Sequence, residues 1–302
     1  MEKIIKSDRI KGILCIIASA CGFAVMSAFI KLAGDLPSFQ KTFFRNLVAA
    51  VIALYLIIKH KGRLVGKKEN RKILILRSTF GTIGIICNYY AVDRLVLSDA
   101  NMLNKLSPFL VVIFCALFLK EKINLKQITM VSVAFIGALF IIKPSFNVEV
   151  LPYLVGVLGA IGAALAYTCV RALGNKEDYY TIVFFSAFSL IVILPICVVV
   201  YKPMTMIQVV YLLLAGIFAS IGQFGVTLAY KFAPAKEISI YDYSGIICSA
   251  ILGIAFFGEH PDMMSIIGYL IVFAAAFDMF LYNKKLDKIE NKDKSLKQIQ
   301  EK

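Results

Sequence analysis

The chain has 302 residues, 60% of them hydrophobic, and its formal net charge at pH 7 is +14. Soluble domains contain about 45–50% apolar residues, so the composition indicates an integral membrane protein with no room for a separate soluble domain. In a soluble protein this charge would suggest a nucleic-acid partner, but here the distribution of the basic residues along the chain excludes that class.

Ten apolar stretches of about 20 residues follow one another, and each is long enough to cross a hydrocarbon core about 30 Å thick as an α-helix. The first is longer than the apolar region of a typical signal peptide and leads directly into another span, so we expect it to be retained. The predicted spans are 12–32, 40–58, 73–92, 97–119, 126–143, 152–172, 181–201, 206–230, 236–257 and 263–282.

Lys and Arg residues lie mainly on one side of these spans. With the N-terminus in the cytoplasm, 25 of the 33 Lys and Arg residues fall in cytoplasmic segments, 5 fall outside and 3 fall within spans or at their ends. Cytoplasmic loops carry an excess of Lys and Arg, so both termini are predicted to be cytoplasmic. Residues 283–302 are predicted to form a basic cytoplasmic tail beside the lipid bilayer.

The second half of the chain repeats the first at nearly constant offsets. Each copy has five spans, an odd number, so the second copy must cross the bilayer in the opposite direction. The sequence therefore predicts an all-α integral membrane fold of ten transmembrane helices, built as two inverted five-helix repeats, 10–143 and 152–282, with a substrate site near the midplane. The recurring pairs are Gly84 and Gly222, Ala91 and Ala229, and Glu121 and Glu259, each 138 residues apart, and Gly22 and Gly162, Lys31 and Arg171, and Gly34 and Gly174, each 140 apart.

Several spans carry single polar residues. Arg45, about one turn inside the outer end of span two, is predicted to be either an interfacial anchor or an anion contact. Arg77, near the cytoplasmic end of span three, is interpreted as a side chain that extends to the interface. Asn88 in span three, Tyr167 in span six and Gln223 in span eight are candidate cavity residues, with simple packing as the alternative. Glycines in spans three and eight are expected to allow close helix packing.

Span four has one polar face, formed by Ser98, Asn101, Asn104 and Lys105 at helical spacing. On insertion scales a central Lys costs about 2.5–3.5 kcal/mol, so this face is predicted to look inward toward protein or water. Pro108 cannot supply the amide that the carbonyl of Asn104 would accept, which predicts a local break in the helix beside the same face.

Adding 138 to these positions identifies a second polar face on span nine, with Tyr241, Asp242 and Tyr243 on it or beside it. Ile246 stands where the repeat of Pro108 would predict another proline. This helix is therefore expected to flex differently from its counterpart.

A salt bridge between Lys105 and Asp242 would join the two faces. With a uniform helical rise, however, about 12 Å of depth separates the two residues in the bilayer. We therefore predict that they bracket a central polar cavity without pairing; hydrogen bonds local to each residue are the alternative.

No metal site, cofactor or catalytic residue is predicted, so the chain is not expected to be an enzyme. The seven cysteines all fall in apolar spans and are interpreted as small buried hydrophobic residues. The two histidines lie in different loops without metal-ligand spacing, and no P-loop sequence is present.

Two segments carry a resemblance to a known family. Residues 107–123 read SPFLVVIFCALFLKEKI and residues 244–261 read SGIICSAILGIAFFGEHP, each an apolar run followed by a glutamate, Glu121 or Glu259. Over residues 10–282 the chain thereby resembles the EamA-type, ten-helix members of the drug/metabolite transporter (DMT) superfamily. The resemblance implies a small-metabolite carrier with a central cavity, in which both glutamates are structural or gate-closing.

We therefore expect a secondary transporter, a multi-pass permease of the plasma membrane, that moves a small polar or amphipathic metabolite by alternating access. An anionic or zwitterionic substrate such as an amino acid is expected, with Lys105 contacting its anionic group. Asp242 is expected to bind a proton or an amine, which leaves proton coupling open. The other predicted substrate contacts are Asn88, Asn101, Asn104, Tyr167, Gln223, Tyr241 and Tyr243.

Other functions stay open at this point. A flippase-like carrier of a lipid-linked sugar would need a lateral opening between helices, and a passive channel would need a continuous pore. A drug or metabolite efflux pump differs only in direction and substrate. A homodimer is compatible with the sequence.

Overall fold

The computed structural model describes residues 2–61, 63–120, 123–142, 150–173, 176–185, 188–232 and 239–300, and no strand occurs in these ranges. A 3₁₀ turn, Lys68–Asn70, leads into the third helix, and a 3₁₀ segment, Ser239–Tyr243, leads into the eleventh. The helices are α1 (Glu2–Leu32), α2 (Ser38–His60), α3 (Arg71–Arg94), α4 (Leu97–Asn104), α5 (Ser107–Leu119), α6 (Leu125–Ile142), α7 (Leu151–Leu173), α8 (Tyr179–Phe184), α9 (Phe188–Val199), α10 (Met206–Phe232), α11 (Ser244–Phe257) and α12 (Met263–Gln300).

The described helices have the length and composition of membrane spans. They form nine segments long and apolar enough to cross a bilayer, of which Leu97–Leu119 combines α4 with α5 and Tyr180–Val199 combines α8 with α9; a shorter apolar helix, Tyr241–Phe257, precedes the last of the nine. Large apolar side chains are exposed on these helices, among them Leu117 (66%), Ile191 (69%) and Val199 (84%), as expected where a helix faces lipid. The prediction of an all-α, multi-pass membrane protein is confirmed.

The fourth span is interrupted where the sequence predicts. Helix α4 ends at Asn104 and α5 begins at Ser107, and the amide of Lys105 bonds the carbonyl of Met102 (3.0 Å) in a tighter turn. Pro108 lies in the first turn of α5, where its missing amide has no helical partner to lose. The break therefore leaves Lys105 at the junction of two short helices.

The ninth span changes from a 3₁₀ segment to an α-helix at the corresponding position, although it has no proline there. The 3₁₀ segment ends at Tyr243 and α11 begins at Ser244, so Asp242 lies just before the junction, 138 residues after Asn104. Ile246 lies inside α11 and is buried. Lys105 and Asp242 thus lie within one residue of equivalent points in the two halves.

Two pairs of long helices cross at glycines. Helix α1 packs on α10, and α3 packs on α7. A Cβ atom on Gly22 would lie 3.2 Å from the amide nitrogen of Gly222, and one on Gly162 would lie 2.8 Å from Cα of Gly84. Only residues without a side chain allow backbones to approach this closely, a common feature of helix contacts in membranes.

A disulfide connects α1 to α11. Cys21 and Cys248 are paired with their Cα atoms 5.8 Å apart, and the other five cysteines are free. The interpretation of all seven as separate buried hydrophobic residues is therefore wrong for these two. The pairing escapes sequence inspection because the partners are 227 residues apart and meet only through the packing of α1 against α11.

Candidate functional site

Lys105 and Asp242 form an ion pair that joins the two interrupted spans. Lys105 Nζ donates to Oδ2 of Asp242, and the two side chains are 17% and 27% exposed. The prediction that these residues bracket a cavity without meeting is wrong. Both side chains keep some exposure, and their contact with substrate stays a prediction.

The depth argument fails because neither residue lies in a regular α-helix. Asp242 lies in a 3₁₀ segment, which rises about 2.0 Å per residue instead of about 1.5 Å, so it is deeper than a uniform helix would place it. Lys105 lies in the turn after α4, and its four-carbon stem extends the ammonium further. Both differences shorten the separation that a uniform helix predicts.

Tyr167 of α7 faces the interior polar groups. Its side chain is 48% exposed, yet it interacts electrostatically with Asp242 as well as with Arg45 and Arg77 of two other helices. A lipid-facing side chain could not be near charged groups on α2, α3 and the 3₁₀ segment together. Tyr167 therefore lies near charged groups of several helices, and its contact with substrate stays a prediction.

Asn101 connects three helices. Its Nδ2 donates to the carbonyl of Leu97 (2.9 Å) and to Oγ of Ser249 (3.0 Å), while its Oδ1 accepts from Oγ of Ser27 (3.0 Å). These bonds join α4 to α11 and α1. The polar groups of Asn101 are thus already engaged within the protein, which favours a structural role over the predicted substrate contact.

The other predicted amides lie in different surroundings. Asn88 is 7% exposed, and its buried Oδ1 has no hydrogen-bond partner. Asn104 is the last residue of α4 and is partly buried next to Lys105. Gln223 of α10 is partly buried and lines a pocket with Arg45 and Arg77.

The two tyrosines of the ninth span differ in exposure. Tyr241 is 38% exposed. Tyr243 is 8% exposed and packs edge-on against Phe273 of α12, with ring centroids 5.8 Å apart. Tyr243 therefore contributes to the core, whereas the contact of Tyr241 with substrate stays a prediction.

Arg45 of α2 and Arg77 of α3 lie close together within the helix bundle. Both line the same pocket, and the Nε atoms of both are buried. The interpretation of Arg77 as a side chain that extends to the interface is therefore wrong. The signal in the sequence was the presence of two arginines inside neighbouring spans, which indicates a shared pocket only when the two are considered together.

Glu259 closes one end of the bundle. One carboxylate oxygen accepts from Lys31 of α1, and the other accepts from the amide of Leu97 (2.9 Å) at the start of α4. Lys31 also donates to the carbonyl of Leu95 (2.5 Å). These contacts support the interpretation of Glu259 as structural or gate-closing. Glu121, its counterpart in the first half, lies outside the described residues.

Within the described ranges, no group of three or more His, Cys, Asp or Glu residues is placed to hold a metal ion.

Comparison with known proteins connects this architecture to transporters. The EamA-like transporter family matches residues 10–143 and again residues 150–281. The pseudopaline exporter CntI of Pseudomonas aeruginosa is 31–32% identical over 268 residues, which cover 87% of this chain and 94% of the exporter.

More distant relatives are also transport proteins by name. The S-adenosylmethionine uptake transporter of Rickettsia bellii is 25% identical over 86% of this chain and 89% of its own length. Solute carrier family 35 member G1 of Mus musculus is 27% identical over 86% of this chain and 76% of its own length. One crystal structure, 15% identical, covers 89% of this chain and 98% of its own with a TM-score of 0.60, which shows the same fold.

Proposed function

Because the chain belongs to the EamA-like transporter family and is a membrane transporter of small metabolites, we propose that it carries a polar or amphipathic metabolite by alternating access around the Lys105–Asp242 pair. The observation that carries this proposal is the position of that pair. It joins the junctions of the two interrupted spans, one in each half of the chain. A carrier needs its site at such a place, because binding there can bias both halves at once.

The ion pair suits a substrate with both charges. An incoming carboxylate can replace Asp242 as the partner of Lys105, and an ammonium group can replace Lys105 as the partner of Asp242. Such an exchange leaves neither protein charge unpaired, and it avoids the large cost of separating a buried pair. The expected substrate is therefore zwitterionic or anionic, such as an amino acid or a derivative, and Asp242 is available to a proton when no amine is bound.

The proposed inverted repeat, 10–143 and 152–282, has support from matching contacts in the two halves. The crossing of Gly22 with Gly222 corresponds to the crossing of Gly162 with Gly84 when the offsets of 140 and 138 are applied. Helices α5 and α11 both end in a left-handed residue, Lys120 (φ 55°) and Gly258 (φ 63°), again 138 apart. We propose on the same basis that both termini are cytoplasmic, with the charge bias as the argument for orientation.

Export is the direction that we favour. The relative with 31–32% identity over most of both chains is named an exporter, whereas the uptake transporter for S-adenosylmethionine is 25% identical. Efflux of a small zwitterionic or anionic metabolite is compatible with the same alternating-access mechanism and adds only the direction of transport.

Transport by purified protein in proteoliposomes tests the site. Radiolabelled amino acids, nucleosides and organic acids are screened for counterflow, and the positive compound is then measured in variants. Losing one charge-assisted hydrogen bond costs about 1.5–3 kcal/mol, so Lys105→Ala and Asp242→Asn should each reduce kcat/KM by roughly tenfold or more.

The matched control is Lys126→Ala, which removes a lysine from the half-exposed pair with Asp278 (3.0 Å) and should leave transport unchanged. Unchanged transport in Lys105→Ala would show that the substrate binds elsewhere.

A further inference from the structure

A second group of charges lies in the interior, away from the Lys105–Asp242 pair. Arg45 of α2 and Arg77 of α3 line one small, partly open pocket. The remaining lining is neutral: Ala49, Val183, Ala219, Ser220, Gln223 and Phe224. Within the described residues, the wall of this pocket thus has two guanidinium groups and no carboxylate.

Arg45 retains hydrogen-bonding capacity in this pocket. Its Nη1 donates to Oδ1 of Asn46 (2.9 Å), but its buried Nε has no hydrogen-bond partner. A buried donor without a partner is costly, and a buried charge is more so. The arrangement becomes favourable when an oxyanion occupies the pocket, because a guanidinium presents a planar fork of donors that matches a carboxylate.

The two arginines also act on each other. Arg45 and Arg77 interact electrostatically, and as like charges they repel. An anion placed between them would turn this repulsion into two attractions. The carboxylates of the described spans have other cationic or hydroxyl partners, as shown by the pairs Asp93 with Lys41, Asp99 with Tyr269, Asp242 with Lys105, Glu259 with Lys31 and Asp278 with Lys126.

Tyr167 places this pocket beside the central site. It lies within electrostatic range of both arginines and also of Asp242, and its side chain is half exposed. Ser220 and Gln223 of α10 line the wall of the pocket. An elongated molecule with two anionic ends could therefore contact both groups of charges.

We propose that Arg45 and Arg77 form a second anion subsite of the transport pathway, which binds a carboxylate of the carried metabolite remote from the group held by Lys105. This rests on the proposed central site at Lys105 and Asp242. It narrows the substrate to molecules with at least two carboxylates, and it makes a simple monocarboxylic amino acid a poor substrate.

Thermal shift of the purified full-length protein tests the subsite, using succinate, glutarate, adipate, pimelate and citrate as probes. Each dicarboxylate is compared at constant ionic strength with the monocarboxylate of equal carbon number, and stabilisation by a ligand follows mass action. Dicarboxylates and citrate should raise the melting temperature more than the monocarboxylates do. Arg45→Gln and Arg77→Gln should weaken the apparent affinity for dicarboxylates by roughly tenfold or more and abolish this difference.

The control variant is Arg94→Gln. Arg94 is exposed at the end of α3, where it stacks on Tyr90 (3.8 Å), and its loss should leave the difference intact. A measurement on the unaltered protein avoids any folding defect: dicarboxylates should protect Arg45 and Arg77, but not Arg94, from phenylglyoxal modification read by peptide mass spectrometry. Equal stabilisation by mono- and dicarboxylates, or absence of this selective protection, would overturn the subsite.

Lys105→Ala separates the two proposals in the same assays. If dicarboxylates do not protect Arg45 from modification while Lys105→Ala still reduces transport, the anion subsite is wrong and the central site stands. If dicarboxylates protect Arg45 while Lys105→Ala leaves transport unchanged, the anion subsite stands and the central site is wrong.

Discussion

Lys41 of α2 is fully buried, and its ammonium lies 2.5 Å from Oδ1 of Asp93 in α3. The same ammonium donates to the carbonyl of Ile30 at the end of α1 (3.0 Å). One cation thus joins three helices near one end of the bundle. A charge in this position is favourable only while its partners remain, because an unpaired buried ion keeps its full desolvation cost.

Lys41→Met should therefore destabilise the protein strongly. It leaves the Asp93 carboxylate without its cation, and removing one member of a buried pair costs about 3–5 kcal/mol. The double variant with Asp93→Leu removes both charges and should be more stable than Lys41→Met alone. Thermal or denaturant unfolding in detergent measures both effects.

The control is an exposed ion pair at the same end of the molecule. Lys202 and Asp35 are joined at 2.7 Å, with side chains 51% and 91% exposed, so Lys202→Met should have little effect on unfolding. An equal loss of stability in Lys41→Met and Lys202→Met would contradict the structural role given to Lys41.

The Lys31–Glu259 contact should control opening at this end. Alternating access requires the contacts among α1, Leu97 and the segment after α11 to break whenever this end opens. Glu259→Gln weakens them by about 1.5–3 kcal/mol, so the open population should rise roughly tenfold or more. Ala100→Cys, a fully buried position in α4, reports opening through its rate of maleimide labelling in a cysteine-free background.

The pairing can be tested by exchange of charge. Lys31→Glu alone should accelerate labelling at position 100, and adding Glu259→Lys should slow it again because the pair is restored in reverse. If labelling in Glu259→Gln equals that of the parent protein, the contact does not hold this end closed.

The helical spans and the break at Pro108 could be predicted from the sequence, because hydropathy and the effect of proline depend on residues adjacent in the chain. It missed the break before Ser244, where no proline marks the change. It also missed the Lys105–Asp242 pair, because depth was calculated from a uniform helix while both residues lie at junctions. The orientation of the Arg77 side chain could not be predicted from span three alone, because the pocket that it lines is formed together with residues of α2 and α10.

Asn101 offers a test that separates a structural role from a binding role. Asn101→Ala removes bonds to Ser27 and Ser249 and leaves those hydroxyls without this partner, so it should lower the melting temperature clearly. The KM of the surviving transport should change little, in contrast to Lys105→Ala. A raised KM with an unaltered melting temperature would instead place Asn101 in contact with the substrate.

Gly84 and Gly81 provide a matched pair on one helix. A Cβ on Gly84 would lie 2.9 Å from the amide nitrogen of Ala163 and 3.0 Å from the carbonyl of Gly159, both rigid backbone atoms of α7. A Cβ on Gly81 would meet only the Cβ of Ala166, at an ordinary 3.6 Å. Both positions have helical backbone, so intrinsic propensity favours alanine equally at each, by about 1 kcal/mol.

Gly84→Ala should therefore destabilise the protein by about 1–3 kcal/mol through overpacking, whereas Gly81→Ala should be neutral or stabilising. The free energies of unfolding of the two variants are measured side by side. Because helix propensity contributes equally to both, the difference between them reports the α3–α7 contact. Since α7 would have to move away from α3, transport should fall in Gly84→Ala but not in Gly81→Ala. Equal stability of the two variants would mean that the backbones of α3 and α7 are farther apart at Gly84 than the structure shows.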